Sequence, residues 1–257
     1  MIVLSAGMQK SGTGWYWNMT NELLMAAGHP DAREIREKYR LHSLLTTQNC
    51  NVRRLDDQAI IELDRIRQQG HTFVVKTHRR PSKLVRKLMA EGRIRATYIY
   101  RDLRDVIVSA LERGRVMRET GQLHGRHFYI GPQKSFAKYH TVRGAILWAR
   151  FRLLPVWKAW SHCDGVLMTR YEDLHADTQG QLRRLAEYLD LDVSEKQIEA
   201  IVATYDRGRM KADISSAGHL HFNKGVTGRF KEVFSQEQQE LCRRRLGRYL
   251  QMMGYLD

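Results

Sequence analysis

Residues that could do chemistry on an anion gather at several points in this sequence, each just after a short apolar run. The first is Gly7-Met8-Gln9-Lys10-Ser11-Gly12-Thr13-Gly14-Trp15. Small residues let backbone N–H groups close around an anion, and the start of a following helix adds partial positive charge. Lys10 supplies a full charge, and Ser11 and Thr13 supply hydroxyl donors. A nucleoside-triphosphate loop reads G-x-x-x-x-G-K-[ST]. Gly7 and Gly12 have that spacing, but Thr13 stands where the lysine belongs, and Lys10 falls before the second glycine. That departure counts against an ATPase or GTPase. A glycine-rich turn with a surface lysine is the plain alternative.

The second point is Lys76-Thr77-His78, with Pro81 soon after. A histidine of ordinary pKa, about 6.5, can accept a proton near neutrality. A lone histidine is more often structural, yet this one follows a lysine at a strand end. The third is Tyr98-Ile99-Tyr100-Arg101-Asp102-Leu103-Arg104-Asp105, running on to Ser109. An arginine fork with a hydroxyl suits a phosphate monoester. Ser109 lies about one helical turn into the next helix and can face back toward its start. The alternative is an Arg–Asp helix cap with a buried serine. Two later segments are Thr169-Arg170-Tyr171-Glu172-Asp173-Leu174 and Phe222-Asn223-Lys224-Gly225-Val226-Thr227-Gly228-Arg229-Phe230-Lys231. In the former, Glu172 and Asp173 also suit a helix start, whose dipole favours acids.

The elements that must position these residues are legible in outline. Ile2–Ala6, Thr72–Lys76, Ala96–Tyr100 and Gly165–Thr169 are short and nearly continuously apolar, as parallel strands covered on both faces are. Amphipathic segments alternate with them: Trp15–Ala27, Asp56–Gln69, Ser82–Glu91, Arg104–Glu119, Phe136–Trp160 and Asp173–Leu189. The alternation predicts an α/β fold, a three-layer sandwich with a central parallel sheet. Ligands of such sheets bind beyond the carboxyl ends of the strands, where the first four segments above fall; the fifth lies in a late loop. The tail from Ser194 to Leu256 reads as mostly helical around a loop near Gly225. No repeat, low-complexity tract or Pro/Gly/Ser linker interrupts the sequence, so one domain over 1–257 is expected. Trp148, Trp157 and Trp160 read as core. His124, His127 and His140 lie in a polar stretch of the kind that often lines acceptor sites, and read as surface residues.

In this order, the segments resemble the PAPS-dependent sulfotransferases, soluble cytosolic type, over residues 2–235. These enzymes use 3'-phosphoadenosine 5'-phosphosulfate (PAPS). Lys10-Ser11-Gly12-Thr13-x-Trp15 resembles their phosphosulfate loop P-K-S-G-T-T-W, with Gln9 for the proline and Gly14 for the second threonine. Lys76-Thr77-His78 resembles their Lys-Thr-His, which implies that His78 is the general base. Arg101 to Ser109 resembles R-x-P-R-D-x-x-x-S, the 3'-phosphate motif, with Leu103 for the proline. Tyr171 matches the tyrosine of Y-E-D-L that contacts adenine, and Trp15 is assigned there too. The late segment resembles R-K-G-x-x-G-x-[WF]-K, which implies that Lys224 and Gly225 close over the 3'-phosphate. Asn223 replaces the arginine of that motif, and Arg229 is a nearby substitute. The resemblance also implies a P-loop NTPase-like fold and a catalytic trio of His78, Lys10 and Lys76. It further implies 3',5'-bisphosphoadenosine as product, no metal, and a hydroxyl-bearing acceptor such as a glycan, glycolipid or small metabolite. Arg79 and Arg80 stand where small-molecule enzymes carry apolar residues, which leans toward a polar or anionic acceptor.

Composition sets the outer bounds. The 257 residues carry a net charge of +15, and 42% are hydrophobic, enough for a full core. The pI is about 10.0. Such a chain attracts polyanions, but no nucleic-acid-binding motif accompanies the charge. Arg243-Arg244-Arg245 reads as a solvated helix face. No apolar run reaches the ~18 residues of a membrane span, and the start of the sequence turns polar too quickly for a secretory signal. Cys50, Cys163 and Cys242 lack metal-type spacing and read as free thiols, which with the absent signal implies a cytoplasmic protein. Two rivals remain: a P-loop kinase or other phosphotransferase, and a non-catalytic polyanion-binding protein.

Overall fold

The structure is a computed structural model that describes residues 1–119, 136–205 and 225–256. The chain packs as two compact units. One takes in Met1–Tyr100 with Val156–Phe222, the other Arg101–Pro155 with Asn223–Asp257.

The first unit is built on four parallel strands: β1 (Ile2–Gly7), β2 (Phe73–Thr77), β3 (Ile94–Tyr100) and β4 (Val166–Arg170), in the order β2-β1-β3-β4. Every residue of β1 and β2 is buried. That double-sided burial is why their sequences are continuous apolar runs rather than alternating ones. In register, Ala6 lies opposite Thr77 and Tyr98, so the ends of β1, β2 and β3 finish together.

Chain direction reverses across this sheet. From β1 the chain crosses to β2 on one side, then passes back over β1 to β3. Right-handed crossovers therefore put α1 (Thr13–Ala26), which follows β1, and α4 (Lys83–Ala90), which follows β2, on opposite faces. α1 packs with α9 (Thr178–Leu189) and α10 (Glu195–Thr204), whereas α3 (Asp57–Gln68), although it lies in the same connection as α1, packs with α4. Helix, sheet and helix make the expected three layers. α2 (Ala32–Lys38) and a pair of β-bridges, Leu45 to Val52 and Asn51 to Lys76, fill the β1–β2 connection. Caps fix several helix starts: Asp56 accepts from Ala59 N–H, Ser82 from Val85 N–H, and Ser194 forms a reciprocal box with Gln197.

The second unit holds α5 (Leu103–Glu119), α6 (Val142–Trp148), a one-turn helix Phe230–Val233 and the C-terminal helix Gln236–Met252. The helix expected over 136–160 is interrupted. α6 passes into a π-turn, Ala149–Leu153, and then α7 (Leu154–Ser161). Pro155 explains the break, because it has no N–H to donate and its ring crowds the carbonyl four residues earlier. The expected helix over 173–189 also divides. α8 (Tyr171–Ala176) ends before Asp177, whose side chain caps α9 by accepting from Gly180 N–H.

The three tryptophans are core as expected: Trp148 packs against Phe136 and Tyr139, Trp157 against Tyr100, and Trp160 against Tyr98. Arg243, Arg244, Arg245 and His140 are exposed, while His124 and His127 lie outside the described residues. The three cysteines are free thiols. No helix among the described residues is long and apolar enough to cross a membrane.

Candidate active site

The loop after β1 is shaped by close packing. A Cβ on Gly7 would lie 2.6 Å from Thr13 Cγ2 and 2.7 Å from Ile99 Cγ2, so only glycine fits there. Lys10 and Gly12 both take left-handed backbone angles, with φ of 69° and 74°. For Lys10 that conformation is strained, since an L side chain rarely adopts it. Gly12 serves as the N-cap of α1 without a side-chain cap. The first N–H groups of α1 thus face the loop, with the positive end of the helix dipole behind them. Ser11 is fully buried, and its hydroxyl has no hydrogen-bond partner among the described residues. A buried hydroxyl without a partner costs about 1–3 kcal/mol, and its presence in a loop of this shape points to a ligand. Thr13 is buried and Gly14 half-buried.

An aromatic wall closes one side of this loop. Tyr171, the first residue of α8, places its ring 2.7 Å from where a Cβ of Gly12 would sit. Trp15 meets Tyr171 edge to face, with ring centroids 6.2 Å apart. The sequence therefore named two residues, 156 positions apart, that the fold brings against one another.

At the end of β2, His78 is half-buried and its Nδ1 lies 2.7 Å from the Gly7 carbonyl oxygen. A carbonyl only accepts, so Nδ1 carries the proton and Nε2 keeps its lone pair. Burial, with the Lys76 cation beside it, pushes the imidazole down to about 3 against the opposing pull of the Gly7 bond. The ring is therefore neutral at physiological pH. Lys76, two residues back along the strand, projects to the same side. It is buried and pairs with no carboxylate among the described residues, and burial alone pushes its ammonium down to about 8. The segment is pinned by the buried Trp160, whose Nε1–H donates to the Arg79 carbonyl at 2.8 Å. Arg79 and Arg80 themselves are exposed.

In the second unit, Arg101, Asp105 and Ser109 recur at intervals of four, so Asp105 and Ser109 lie one above the other on α5. All three are buried. The Arg101 guanidinium donates to Asp105 Oδ2 at 3.1 Å and to the Val226 carbonyl at 2.6 Å. Asp105 also accepts the backbone N–H of Gly228 at 2.7 Å and of Phe230 at 3.0 Å. Arg101 and Asp105 together fasten the late loop to α5. Gly225, with φ of 63°, begins the described part of that loop; Lys224 lies outside the described residues. The Arg–Asp helix cap considered for this segment is present at Asp102, which accepts Arg104 N–H and is gripped by the Arg104 fork, while the guanidinium of Arg104 lies 3.9 Å over the Phe230 ring. Arg229, the substitute considered for the missing arginine at Asn223, has both ends of its fork on Glu112. Sequence reasoning missed Asp105 and Glu112 as loop anchors. The only hint was the i+4 spacing of Asp105 from Arg101, because its amide partners lie far along the chain.

Among the described residues, no group of His, Cys, Asp and Glu is arranged to hold a metal ion. A family model described as Sulfotransferase domain matches residues 2–254. Sulfotransferase 1A1 of Bos taurus is 25% identical over 180 residues, which is 65% of this chain and 58% of that protein. Sulfotransferase 2B1 of Mus musculus is 25% identical over 172 residues, 62% of this chain and 49% of that protein. The chain thus spans about half to three-fifths of the length of these two relatives. Among solved structures, mouse sulfotransferase SULT7A1 complexed with PAP superimposes with a TM-score of 0.61 at 16% identity, covering 97% of this chain and 84% of that one. At that identity the likeness speaks for the fold, which is the P-loop NTPase-like α/β fold expected from the sequence.

Proposed function

The chain belongs to the sulfotransferase family, and from that membership we propose that it transfers the sulfonate of PAPS to a hydroxyl of an acceptor. The observation that carries this reading is the pinned imidazole: the Nδ1–H of His78 is held by Gly7, at the very loop that would receive the phosphosulfate. Its Nε2 is the free base. The acceptor oxygen attacks sulfur as Nε2 takes its proton. A sulfur–oxygen bond forms, the bond from sulfur to the 5'-phosphate oxygen breaks, and 3',5'-bisphosphoadenosine leaves with the electron pair. Lys10 and Lys76 stabilise the charge that develops on the sulfonate and on the departing oxygen.

The loop residues suit such a ligand. The buried Ser11 hydroxyl, the Thr13 hydroxyl and the open N–H groups at Gly12, Thr13 and Gly14 supply donors for the phosphosulfate. Trp15 and Tyr171 contact the adenine. Arg101 and Ser109, with Lys224 and the Gly225 amide, hold the 3'-phosphate. Arg229 is engaged by Glu112 and takes no part in that grip. The lysine that defines a kinase loop is replaced by Thr13, which disfavours the phosphotransferase reading.

The reading extends to one sulfotransferase domain over 1–257, working in the cytoplasm on a glycan, glycolipid or small metabolite. Exposed Arg79 and Arg80, immediately after the base, favour a polar or anionic acceptor. Two measurements test the proposal. A thermal-shift comparison should give stabilisation by 3',5'-bisphosphoadenosine well above that by ATP or heparin. A radiolabelled-sulfonate transfer screen across acceptor classes should then find turnover without added metal. Equal stabilisation by ATP, or turnover of ATP with Mg²⁺, would return the chain to the phosphotransferases.

A further inference from the structure

The outer face of α6 and its π-turn differs from the rest of the second unit's surface. The inner face buries Val142, Ile146, Trp148 and Leu153. The outer face exposes Arg143, Leu147, Arg150, Phe151 and Arg152. Leu147 is 50% exposed and Phe151 66%. Single exposed leucines are ordinary. A phenylalanine mostly in water, one turn from an exposed leucine, forms a continuous apolar ridge instead.

The charge around that ridge has one sign. From Phe136 to Pro155 the sequence has Lys138, Arg143, Arg150 and Arg152, and no Asp or Glu. Elsewhere in the unit, exposed arginines such as Arg115 and Arg243 sit against a glutamate on their own helix. No described carboxylate does this for Arg143, Arg150 or Arg152. The Arg150 guanidinium instead lies 5.8 Å over the Phe151 ring, so cation and apolar surface are interleaved.

We propose that this face docks the protein on an anionic membrane surface. Leu147 and Phe151 enter the boundary between headgroups and acyl chains, and the three arginines lie on the lipid phosphates. Interfacial helices combine these same two ingredients, apolar area and cationic flanks. A second copy of the chain fits poorly, because a two-fold contact through this face would set the arginines against themselves. A soluble polyanion would meet the arginines and leave the ridge in water.

The test is co-sedimentation of the full chain with vesicles of phosphatidylcholine alone and with about 30% phosphatidylserine added. Retention is expected on the anionic vesicles, falling as salt rises. The double variant Leu147→Ser, Phe151→Ser should lose about tenfold in vesicle affinity. Both residues are exposed, so its melting temperature should match that of the unaltered chain; Arg150→Glu should also weaken retention. Equal retention on the two vesicle types, or none, overturns the proposal. So does full retention by the double variant, which would make the face a site for soluble polyanions. Self-association that the double variant abolishes, without vesicle binding, would assign the face to a second copy.

Discussion

The Asp105 carboxylate accepts the backbone N–H of Gly228 at 2.7 Å, across 123 positions of sequence. The same carboxylate accepts from Arg101 and from the Phe230 N–H. One buried acid therefore sets the place of the arginine assigned to the 3'-phosphate and the path of the late loop. Asp105→Ala leaves a buried guanidinium and two amides short of an acceptor. It should lower stability by roughly 3 kcal/mol, read by denaturant unfolding. Affinity for 3',5'-bisphosphoadenosine should drop more than tenfold at a temperature where the variant is folded. Unchanged affinity in a folded variant would separate the anchor from the binding site.

Arg101→Ala should weaken 3',5'-bisphosphoadenosine far more than it weakens the analogue lacking the 3'-phosphate. A charge-assisted contact of this kind contributes about 1.5–3 kcal/mol, or on the order of ten- to a hundredfold in Kd. Calorimetry on both ligands reads the ratio. Equal losses would remove Arg101 from that role.

His78→Ala should cost about a hundred- to ten-thousandfold in kcat, the range of general-base catalysis, while the bisphosphate still binds. The free imidazole, pushed down to about 3, should rise when an anionic ligand binds beside it. An NMR titration with and without the bisphosphate would follow that rise. The same depression bears on stability. Between about pH 6.5 and pH 3 the unfolded chain binds a proton at this site that the folded chain refuses. Stability therefore falls as pH drops through that window, by at most about 1.4 kcal/mol per pH unit. His78→Gln should flatten this part of the curve.

Lys76 gives the opposite end of the pH profile. Its ammonium, pushed down to about 8 by burial, must keep its proton to stabilise the leaving group. The kcat/KM profile should fall above about pH 8, the region reported by the free enzyme. Lys76→Arg, which holds its charge beyond pH 12, should lose that limb even if its maximum is lower. A limb that stays near pH 8 in this variant belongs to another group.

Ser11→Ala separates folding from binding. Its hydroxyl is buried without a partner among the described residues, so its removal should leave the ligand-free protein as stable or up to about 1 kcal/mol more stable. The thermal shift produced by the bisphosphate should shrink. A fall in ligand-free stability would show that the hydroxyl has a structural role.

Much of this arrangement was readable from the sequence because burial writes directly into it. Strands covered on both faces are continuously apolar, which marks β1 to β3, while the edge strand β4, only half covered, is marked by its apolar run; all four were placed within two residues of their ends. Four of the five chemistry-bearing segments then fell at strand ends by position alone. The π-turn was missed because Ala145 to Trp160 is apolar enough to read as one helix, and Pro155 was the signal that should have divided it. The break at Asp177 was signalled by a capping side chain followed by Gly180. The anchor Glu112 had no local signal, and Asp105 had only its i+4 spacing from Arg101. Their loop partners, the Gly228 and Phe230 amides and Arg229, lie more than a hundred residues away, and such pairings follow from tertiary packing rather than from pattern.

Lys10 holds its left-handed backbone angle in a loop fixed by packing, with Gly7 against Thr13 and Ile99 and Gly12 against the Tyr171 ring. Those contacts come from the fold itself, so the conformational cost of shaping the cradle falls on folding and leaves little loop ordering for the encounter with nucleotide. Such preorganisation favours fast capture: association should be governed by diffusion and by the attraction of a strongly cationic protein for its anionic donor, and should slow steeply with ionic strength.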